Sequence, residues 1–114
     1  MADCIFCKIV SGEISSEFLY RDDYVACFKD LKPSAPAHFL VVPVKHLPGP
    51  AEVKDVDREI IGRMFQAAAR TASDLGVAQS GFRMVTNVGP DAGQEVPHIH
   101  IHVLGGRRFG WPPG

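Results

Sequence analysis

The sequence lacks any uninterrupted apolar run long enough to cross a bilayer, and its first residues carry no basic segment followed by an apolar stretch. We therefore expect a soluble protein that is not exported and has no membrane partner. Cysteine is scarce and odd in number, with Cys4, Cys7 and Cys27, and the first two are too close to link distant parts of a fold. This argues against a disulfide framework and predicts a cytoplasmic protein.

An excess of charge of one sign is also missing. The 12 basic and 13 acidic residues are interspersed and give a formal net charge of −1, so no broad basic surface for nucleic acid is expected. Neither the glycine-rich phosphate loop of nucleoside triphosphatases nor the glycine fingerprint of dinucleotide-binding folds occurs. These absences favour a small-molecule ligand held by another kind of site.

The 114 residues, of which 46% are hydrophobic, are enough for one compact core and too few for two ordinary domains, so residues 1–114 are expected to form a single domain. Apolar spacing predicts a short helix over residues 4–10. Aromatic and apolar runs at 18–21 and 24–28 predict a hairpin, and the apolar run at 38–42 predicts a strand in the middle of a sheet.

One long helix is predicted in the middle of the chain, after a loop at residues 45–51. Its apolar residues recur at steps of three and four: Val56, Ile60, Ile61, Met64, Phe65, Ala68, Ala72 and Leu75. Asp55 is placed to cap its start, and Gly76 can adopt the left-handed conformation that ends it. A strand at 82–87 and a turn at 89–93 follow. This order predicts an α+β fold with an antiparallel sheet.

The most informative segment is the alternation of histidine and aliphatic residues in Pro97–Leu104. An extended backbone places His98, His100 and His102 on one face and the aliphatic residues between them on the other. Histidine titrates near neutrality, so it can attack, accept or donate protons there. Packing alone gives no reason to choose histidine three times on one face, and we predict that this face carries the chemistry.

Three mechanisms are compatible with the three imidazoles. They could hold a catalytic zinc with an open position for water. Alternatively, the middle residue, His100, could be a nucleophile if a backbone carbonyl holds its second ring nitrogen. General acid–base catalysis on a bound water is the third option. The turn before the strand offers Gly93 beside Gln94, where the backbone could approach a phosphate.

A second candidate site is a Cys-x-x-Cys pair near the start of the chain. Cys4 and Cys7, together with His46 and one triad histidine, taken as His98, predict a structural zinc whose four positions are all filled by protein ligands. In the alternative interpretation, both cysteines are small buried residues of the first helix.

The residues as a whole resemble a known family. The run Pro97–Leu104 is similar to the His-φ-His-φ-His-φ-φ signature of the histidine-triad (HIT) nucleotide-binding proteins. Other segments resemble their Hint branch, the purine nucleoside phosphoramidases: residues 4–10, 28–43, 93–94, 105–107 and 111–114. The resemblance covers nearly the whole chain.

This resemblance implies a homodimeric α+β fold and hydrolysis of the phosphorus–nitrogen bond of purine nucleoside 5′-phosphoramidates, with no cofactor required for catalysis. His100 would be the nucleophile and would form a nucleotidyl-histidine intermediate. His98 and His102 would orient it and contact the phosphate, and His38 would complete the network.

The resemblance also implies a nucleotide site. Asp30 corresponds to the family's acid at the ribose, and Phe28 and Leu31 would line the base pocket. The phosphate side would be formed by Asn87, Gly93, Gln94 and the residue at position 95. Trp111 corresponds to a residue that reaches toward the partner subunit's site.

Two positions depart from the family's pattern. Glu95 stands where relatives often carry a serine, and a carboxylate there would repel a phosphate unless it is protonated or turned away. Pro97 stands where an aromatic residue is common, which should alter packing more than chemistry. A dinucleoside polyphosphate hydrolase, a metal-dependent hydrolase and a non-catalytic nucleotide-binding or scaffold protein remain rival interpretations.

Overall fold

The structure, a computed structural model, describes residues 4–114. In chain order its helices and strands are α1 (Ile5–Ser11), β1 (Phe18–Arg21), β2 (Val25–Lys29), β3 (Ala37–Pro43), α2 (Arg58–Asp74), β4 (Phe82–Val85) and β5 (Ile101–Gly105). Short 3-10 turns lie at Pro50–Glu52, Asp55–Asp57 and Pro90–Ala92. The predicted α+β class, with an antiparallel sheet, one long helix and a short first helix, is confirmed.

The strands form one sheet in the order β1-β2-β3-β5-β4, and every neighbouring pair is antiparallel. The strand β3 is central, and six of its seven residues are buried, as its continuous apolar run predicted. The predicted hairpin is also present. It turns at Asp22, whose carboxylate accepts hydrogen bonds from the backbone N–H groups of Tyr24 and Val25.

The two faces of the sheet are covered by different helices. Alternate residues of the strands pack against α2 on one face, in a core that includes Val25, Cys27, Phe39, Val41, Ile101 and Val103. The residues between them face α1, in a smaller core that includes Phe6, Ile9, Ala26, Phe28, Leu40 and Val42. The seven-residue α1 covers only part of its face, whereas the 17-residue α2 covers a larger area.

The prediction that Asp55 caps the long helix is wrong. Asp55 begins a 3-10 turn, and α2 starts at Arg58 with Asp57 at the N-cap position. The Asp57 side chain does not cap α2, because its two carboxylate oxygens accept hydrogen bonds from Lys45 Nζ at 2.8 Å and from the Lys54 backbone N–H at 3.1 Å. The two lysines therefore hold the Asp55–Asp57 turn that leads into α2.

Part of the predicted apolar face of α2 is also wrong. Val56 precedes the helix and is 76% exposed, and Phe65 and Leu75 are 55% and 39% exposed. The buried positions are Met64, Ala67, Ala68, Thr71 and Ala72, so the contact with the sheet is formed largely by small residues. The end of the helix is as predicted, since Gly76 follows it with a φ of +76°.

The histidine segment is shorter as a strand than predicted. The strand β5 begins at Ile101, so His98 and His100 precede it and only His102 lies within it. The cause is a set of bonds outside the sheet ladder: the Ile99 N–H donates to Leu47 O, and Thr86 Oγ1 donates to His100 O. The strand β4 also ends earlier than predicted, at Val85, directly before the Thr86 that makes this bond. The alternation still holds, because Ile99, Ile101 and Val103 all pack on the α2 side.

Within residues 4–114, no helix combines the length and apolar character that a bilayer-spanning segment needs.

Candidate active site

A cavity of about 630 Å³ opens on the α1 face of the sheet, between α1, the loop after β2 and the turn before β5. It brings together most of the residues singled out in the sequence. Those that line it are Phe28, Asp30, Leu31, His38, Asn87, Gly93, Glu95, His100 and His102.

His100 lies at the wall of this cavity and is only 7% exposed. Its Nδ1 donates a hydrogen bond to the backbone carbonyl of His98 at 2.8 Å. The Phe6 ring packs edge-to-face against the imidazole, with ring centroids 5.0 Å apart. Because Nδ1 holds the proton, Nε2 of the neutral ring carries the lone pair. The arrangement is the one that a nucleophilic imidazole requires.

His102 is oriented by a chain of hydrogen bonds that starts at a backbone amide. The Ser34 N–H donates to His38 Nδ1 at 3.0 Å, so the neutral His38 ring carries its proton on Nε2. That nitrogen lies 2.9 Å from His102 Nδ1, which therefore accepts. Asp30 Oδ2 lies 3.4 Å from the same His38 nitrogen. Neutral His102 is consequently left with an N–H donor at Nε2.

The charge state of His102 follows from its surroundings. Burial, followed by the nearby His100 and His38, lowers the pKa of His102. The ring is therefore neutral at pH 7 and keeps the proton pattern that His38 imposes. The cavity wall thus combines a ring that offers a lone pair, His100, with a neighbouring ring that offers an N–H, at a centroid separation of 5.2 Å.

Beside the cavity lies a cluster of two cysteines and two histidines. Cys4, Cys7, His46 and His98 each contribute one donor atom, and all four atoms lie within 4.8 Å of one another. His98 Nδ1 is 3.2 Å from Cys4 Sγ and 3.1 Å from His46 Nδ1, while Cys7 Sγ is 3.3 Å from His46 Nδ1. These are the residues that the sequence predicted as metal ligands.

The donor set and spacing of this cluster fit a tetrahedral metal. Metal–sulfur bonds of about 2.3 Å and metal–nitrogen bonds of about 2.0 Å separate ligand atoms in a tetrahedron by roughly 3.3–3.8 Å. His98 Nε2 donates to Pro43 O at 3.0 Å, so its Nδ1 presents a lone pair to the cluster. Burial lowers the pKa of His98 to about 4, which keeps that ring neutral. The cluster can therefore hold a metal ion.

Three predicted residues do not line the cavity. His98 is fully buried in the cysteine–histidine cluster and reaches the cavity only through its carbonyl, which holds His100. The Gln94 side chain accepts a hydrogen bond from the Gly89 N–H inside its own turn and donates one to Pro48 O in the loop after β3. Trp111 is 84% exposed and lies outside the cavity lining.

The position of His98 also bears on the rival three-histidine metal site. Among residues 4–114, the donor atoms of His98, His100 and His102 do not converge in one group. His98 turns toward the cysteines, and His102 turns toward His38. The geometry therefore disfavours a catalytic metal held by the three triad rings.

Sequence reasoning missed the contribution of α1 to the cavity. Ile5, Phe6 and Ile9 line it, and Phe6 also contacts His100. The apolar spacing of residues 4–10 predicted the helix but could not indicate what it faces. Lys29 and Lys32 also line the cavity, and no pattern in the sequence distinguishes them from other surface lysines.

Comparison with known proteins places this geometry in a family. The HIT domain model matches residues 11–109. The chain is 42% identical to the purine nucleoside phosphoramidase of Escherichia coli K12 over 108 residues, which are 95% of this chain and 91% of that protein. It is 44% identical to an uncharacterized HIT-like protein of Synechocystis over 112 residues, which are 98% and 97% of the two chains.

Solved structures agree. A HIT family hydrolase from Legionella pneumophila superposes with a TM-score of 0.96 at 42% identity, covering 98% of this chain and 100% of that one. A histidine triad protein from Clostridium difficile superposes with a TM-score of 0.93 at 44% identity, covering 96% of each chain. The protein described here belongs to the HIT domain family.

Proposed function

We propose that residues 1–114 form one HIT domain that hydrolyses the phosphorus–nitrogen bond of purine nucleoside 5′-phosphoramidates. The observation that carries the proposal is the hydrogen bond from His100 Nδ1 to the His98 carbonyl, which places the lone pair of the neutral ring on Nε2, at the wall of the cavity. The 42% identity to a protein named purine nucleoside phosphoramidase, over 95% of the chain, supports the same reaction.

The reaction then has two displacements at phosphorus. His100 Nε2 forms a bond to phosphorus while the phosphorus–nitrogen bond breaks, and the departing nitrogen keeps the bonding pair and takes up a proton from solvent. In the second displacement, water attacks phosphorus and loses a proton to solvent while the bond to Nε2 breaks and its electron pair returns to the ring. The nucleoside 5′-monophosphate leaves, His100 regains its lone pair, and no cofactor takes part. Neighbouring N–H donors stabilise the negative charge that develops on the phosphoryl oxygens.

The other cavity residues suit the parts of a nucleotide. His102 offers its Nε2–H to a phosphoryl oxygen, and the backbone around Gly93 beside Asn87 suits the same group. Asp30 suits the ribose hydroxyls, and Phe28 with Leu31 provides apolar surface for the base. His98 contributes its carbonyl, and Gln94 supports the turn. Trp111 is exposed and is assigned to a partner subunit's site.

The test is the variant His100→Ala with adenosine 5′-phosphoramidate as substrate and AMP as ligand. We expect turnover to be abolished while AMP binding, measured by calorimetry, stays within a few-fold of the wild type. In the wild type, rapid quenching in acid-free buffer and intact mass spectrometry should detect a nucleotidyl adduct on His100. Retention of most of the hydrolysis rate in His100→Ala would refute the covalent mechanism.

Parallel assays separate the rival functions. Diadenosine polyphosphates serve as competing substrates, and faster turnover of these than of phosphoramidates would favour a dinucleoside polyphosphate hydrolase. AMP binding without turnover of either class would favour a non-catalytic nucleotide-binding protein.

We further propose that Cys4, Cys7, His46 and His98 hold a structural zinc. All four positions of the tetrahedron would be filled by protein ligands, so the metal would have no open position for substrate. Burial, followed by the hydrogen bond and charge of Cys4, raises the pKa of Cys7, and zinc would bind the thiolate and release its proton. Cysteines that bind a metal and form no disulfide suit the reducing cytoplasm. Metal analysis of the purified protein tests the assignment.

A homodimer is the third part of the proposal. The strand β4 lies at the edge of the sheet with its outer backbone groups unpaired by the other strands. An apolar depression of about 320 Å³ lies next to it, lined by Ile61, Phe65 and Met84 among others. A second copy that pairs its own β4 here would cover both features. Sedimentation of the wild type and of Phe65→Asp tests this, and a monomeric wild type would refute it.

A further inference from the structure

We propose that Cys4, Cys7 and His46 are positioning residues for His100, and that they act on it through His98 and Phe6. The inference rests on the proposed function, because it assumes that His100 is the nucleophile. It assigns to the cysteine–histidine cluster a task beyond holding a metal or stabilising the fold: the cluster sets the place and the proton pattern of the reacting ring.

The need for such a device follows from the position of the nucleophile. His100 lies before β5, so the sheet ladder does not hold its backbone. The hydrogen bonds that hold this segment include those from His98 N–H to Val96 O, from Ile99 N–H to Leu47 O and from Thr86 Oγ1 to His100 O. The Ile99 N–H shares one planar peptide with the His98 carbonyl, so its bond to Leu47 O helps to orient the group that holds His100 Nδ1, and the His98 side chain anchors the same peptide from its other end.

The first route from the cluster to His100 runs through that carbonyl. The ring of His98 is completely buried and bonded at both nitrogens, with Nε2 on Pro43 O at 3.0 Å and Nδ1 3.2 Å from Cys4 Sγ. A side chain held at both ends fixes the backbone that carries it. The carbonyl of residue 98 therefore has one direction, and His100 Nδ1 donates to it at 2.8 Å.

The second route runs through α1. Phe6 lies between the two cysteines in sequence, and its ring contacts both His98 and His100 edge-to-face, at centroid distances of 5.8 and 5.0 Å. A helix of seven residues has little stability of its own, so its place depends on tertiary anchors. Cys4 and Cys7 tie it to His98 and His46, which lie on the sheet side. Loosening the cluster thus frees the ring that packs against the nucleophile.

The expected signature is a loss of kcat that exceeds the loss of binding. A displacement of about 1 Å at a reacting group costs on the order of 100-fold in rate, whereas ground-state binding depends on the rest of the cavity. The double variant Cys4→Ala/Cys7→Ala should therefore lower kcat for adenosine 5′-phosphoramidate by roughly 10- to 100-fold. The Kd for AMP should change by a smaller factor than kcat, since neither cysteine lines the cavity and only the α1 part of its lining would shift.

A spectroscopic readout makes the test independent of turnover. In ¹⁵N NMR, the His100 ring of the wild type should show a proton on Nδ1 and an unprotonated Nε2 in its neutral form. In the double variant, the His100 signals should become those of a ring that exchanges between the two tautomers. Removal of zinc from the wild-type protein with a chelator should move the same signals in the same direction.

The matched control is Cys27→Ala, which removes the third cysteine. Cys27 is buried on the α2 face, away from the cluster and the cavity. It should leave kcat and the His100 signals unchanged. Cys7→His, which keeps a metal-binding donor at position 7, should retain most of the wild-type kcat. If the double variant fails to fold, Cys7→Ser and the metal-free wild type carry the same comparison.

Unchanged kcat and unchanged His100 signals in a folded cluster variant would overturn the proposal. A parallel fall in kcat and in AMP affinity would also overturn it, because it would indicate general collapse of the cavity. A wild type that turns over no phosphoramidate would count against the proposed function alone. The NMR comparison and AMP binding would then decide the positioning role without any catalytic assay.

Discussion

The two faces of this sheet are made from the same strands and serve different ends. On β3, Val41 faces α2 and its neighbour Val42 faces α1, and both are fully buried. The face under the 17-residue α2 is filled with apolar side chains, whereas the seven-residue α1 leaves a cavity of about 630 Å³ lined by histidines. In this sheet, the face under the shorter helix is the one that leaves room for the histidine-lined cavity.

After loss of the nucleophile itself, the largest expected effect comes from removing the hydrogen-bond donor His102 on the α1 face. His102→Ala should lower kcat for adenosine 5′-phosphoramidate by roughly 10²- to 10³-fold, the usual cost of losing one hydrogen bond to a developing oxyanion. Urea unfolding should show only a modest loss of stability, because Asp30 Oδ2 lies 3.4 Å from the His38 nitrogen that loses its acceptor. Steady-state kinetics at saturating substrate checks the first expectation. A variant with near wild-type kcat would show that His102 does not contact the phosphoryl group.

The adjacent valines compare the faces directly. Val41→Ala and Val42→Ala should each lower the free energy of unfolding by about 2–3 kcal/mol, because each removes two buried methyl groups and leaves a cavity. Only Val42→Ala should also lower kcat/KM several-fold, because α1 packs over Val42. Urea titration and kinetics on the folded fraction measure both. Equal kinetic losses in the two variants would contradict the division between the faces.

A smaller effect is expected at the rim of the cavity. Glu95 is exposed and lines it, so its carboxylate should favour substrates whose leaving amine carries a positive charge. In Glu95→Gln, the preference for a cationic over a neutral amine, measured as a ratio of kcat/KM values, should fall by about twofold to fivefold. Asp91→Asn is the control, since Asp91 is exposed in the same turn and does not line the cavity. An equal change in Asp91→Asn would contradict the role given to Glu95 in leaving-group preference.

The smallest effect concerns pH on the α2 side. The hydrogen bond from Lys45, followed by that from the Lys54 backbone, lowers the pKa of Asp57. A lowered folded pKa means that this contribution to stability is complete above the unfolded value of about 3.9 and is lost as the pH falls through the folded pKa. Thermal unfolding between pH 7 and pH 3 should therefore depend less on pH in Asp57→Asn than in the wild type. Identical slopes would contradict the assignment.

Much of the fold follows from patterns that the sequence displays locally. The apolar run at 38–42 predicted the central strand, and Gly76 predicted the end of the long helix. The start of that helix was mispredicted because the residue types alone do not distinguish Asp55 from Asp57 as the residue before the helix. What distinguishes them is the hydrogen bond from Lys45, twelve residues away, to Asp57. A contact of this kind leaves no periodic signal.

For the candidate site, too, the local pattern predicted some features and could not predict others. Alternation identified the histidine segment, and its aliphatic residues do share one face as expected, which packs against α2. Alternation could not show that His98 would turn toward Cys4 while His102 would turn toward His38, because each partner comes from a different part of the chain. The proton positions on the rings depend on those partners, so they become visible only once the chain is folded.

The hydrogen bonds that fix the tautomers of His38 and His100 both end on main-chain atoms: the amide of Ser34 and the carbonyl of His98. Exchanging the side chain at position 34 leaves that amide in place, unless proline removes its hydrogen. Both proton patterns therefore depend on the path of the backbone, and a substitution alters them only where it shifts that path. Redesign of this enzyme should keep the backbone conformation of residues 34–38 and 96–100 and vary the side chains that line the cavity instead.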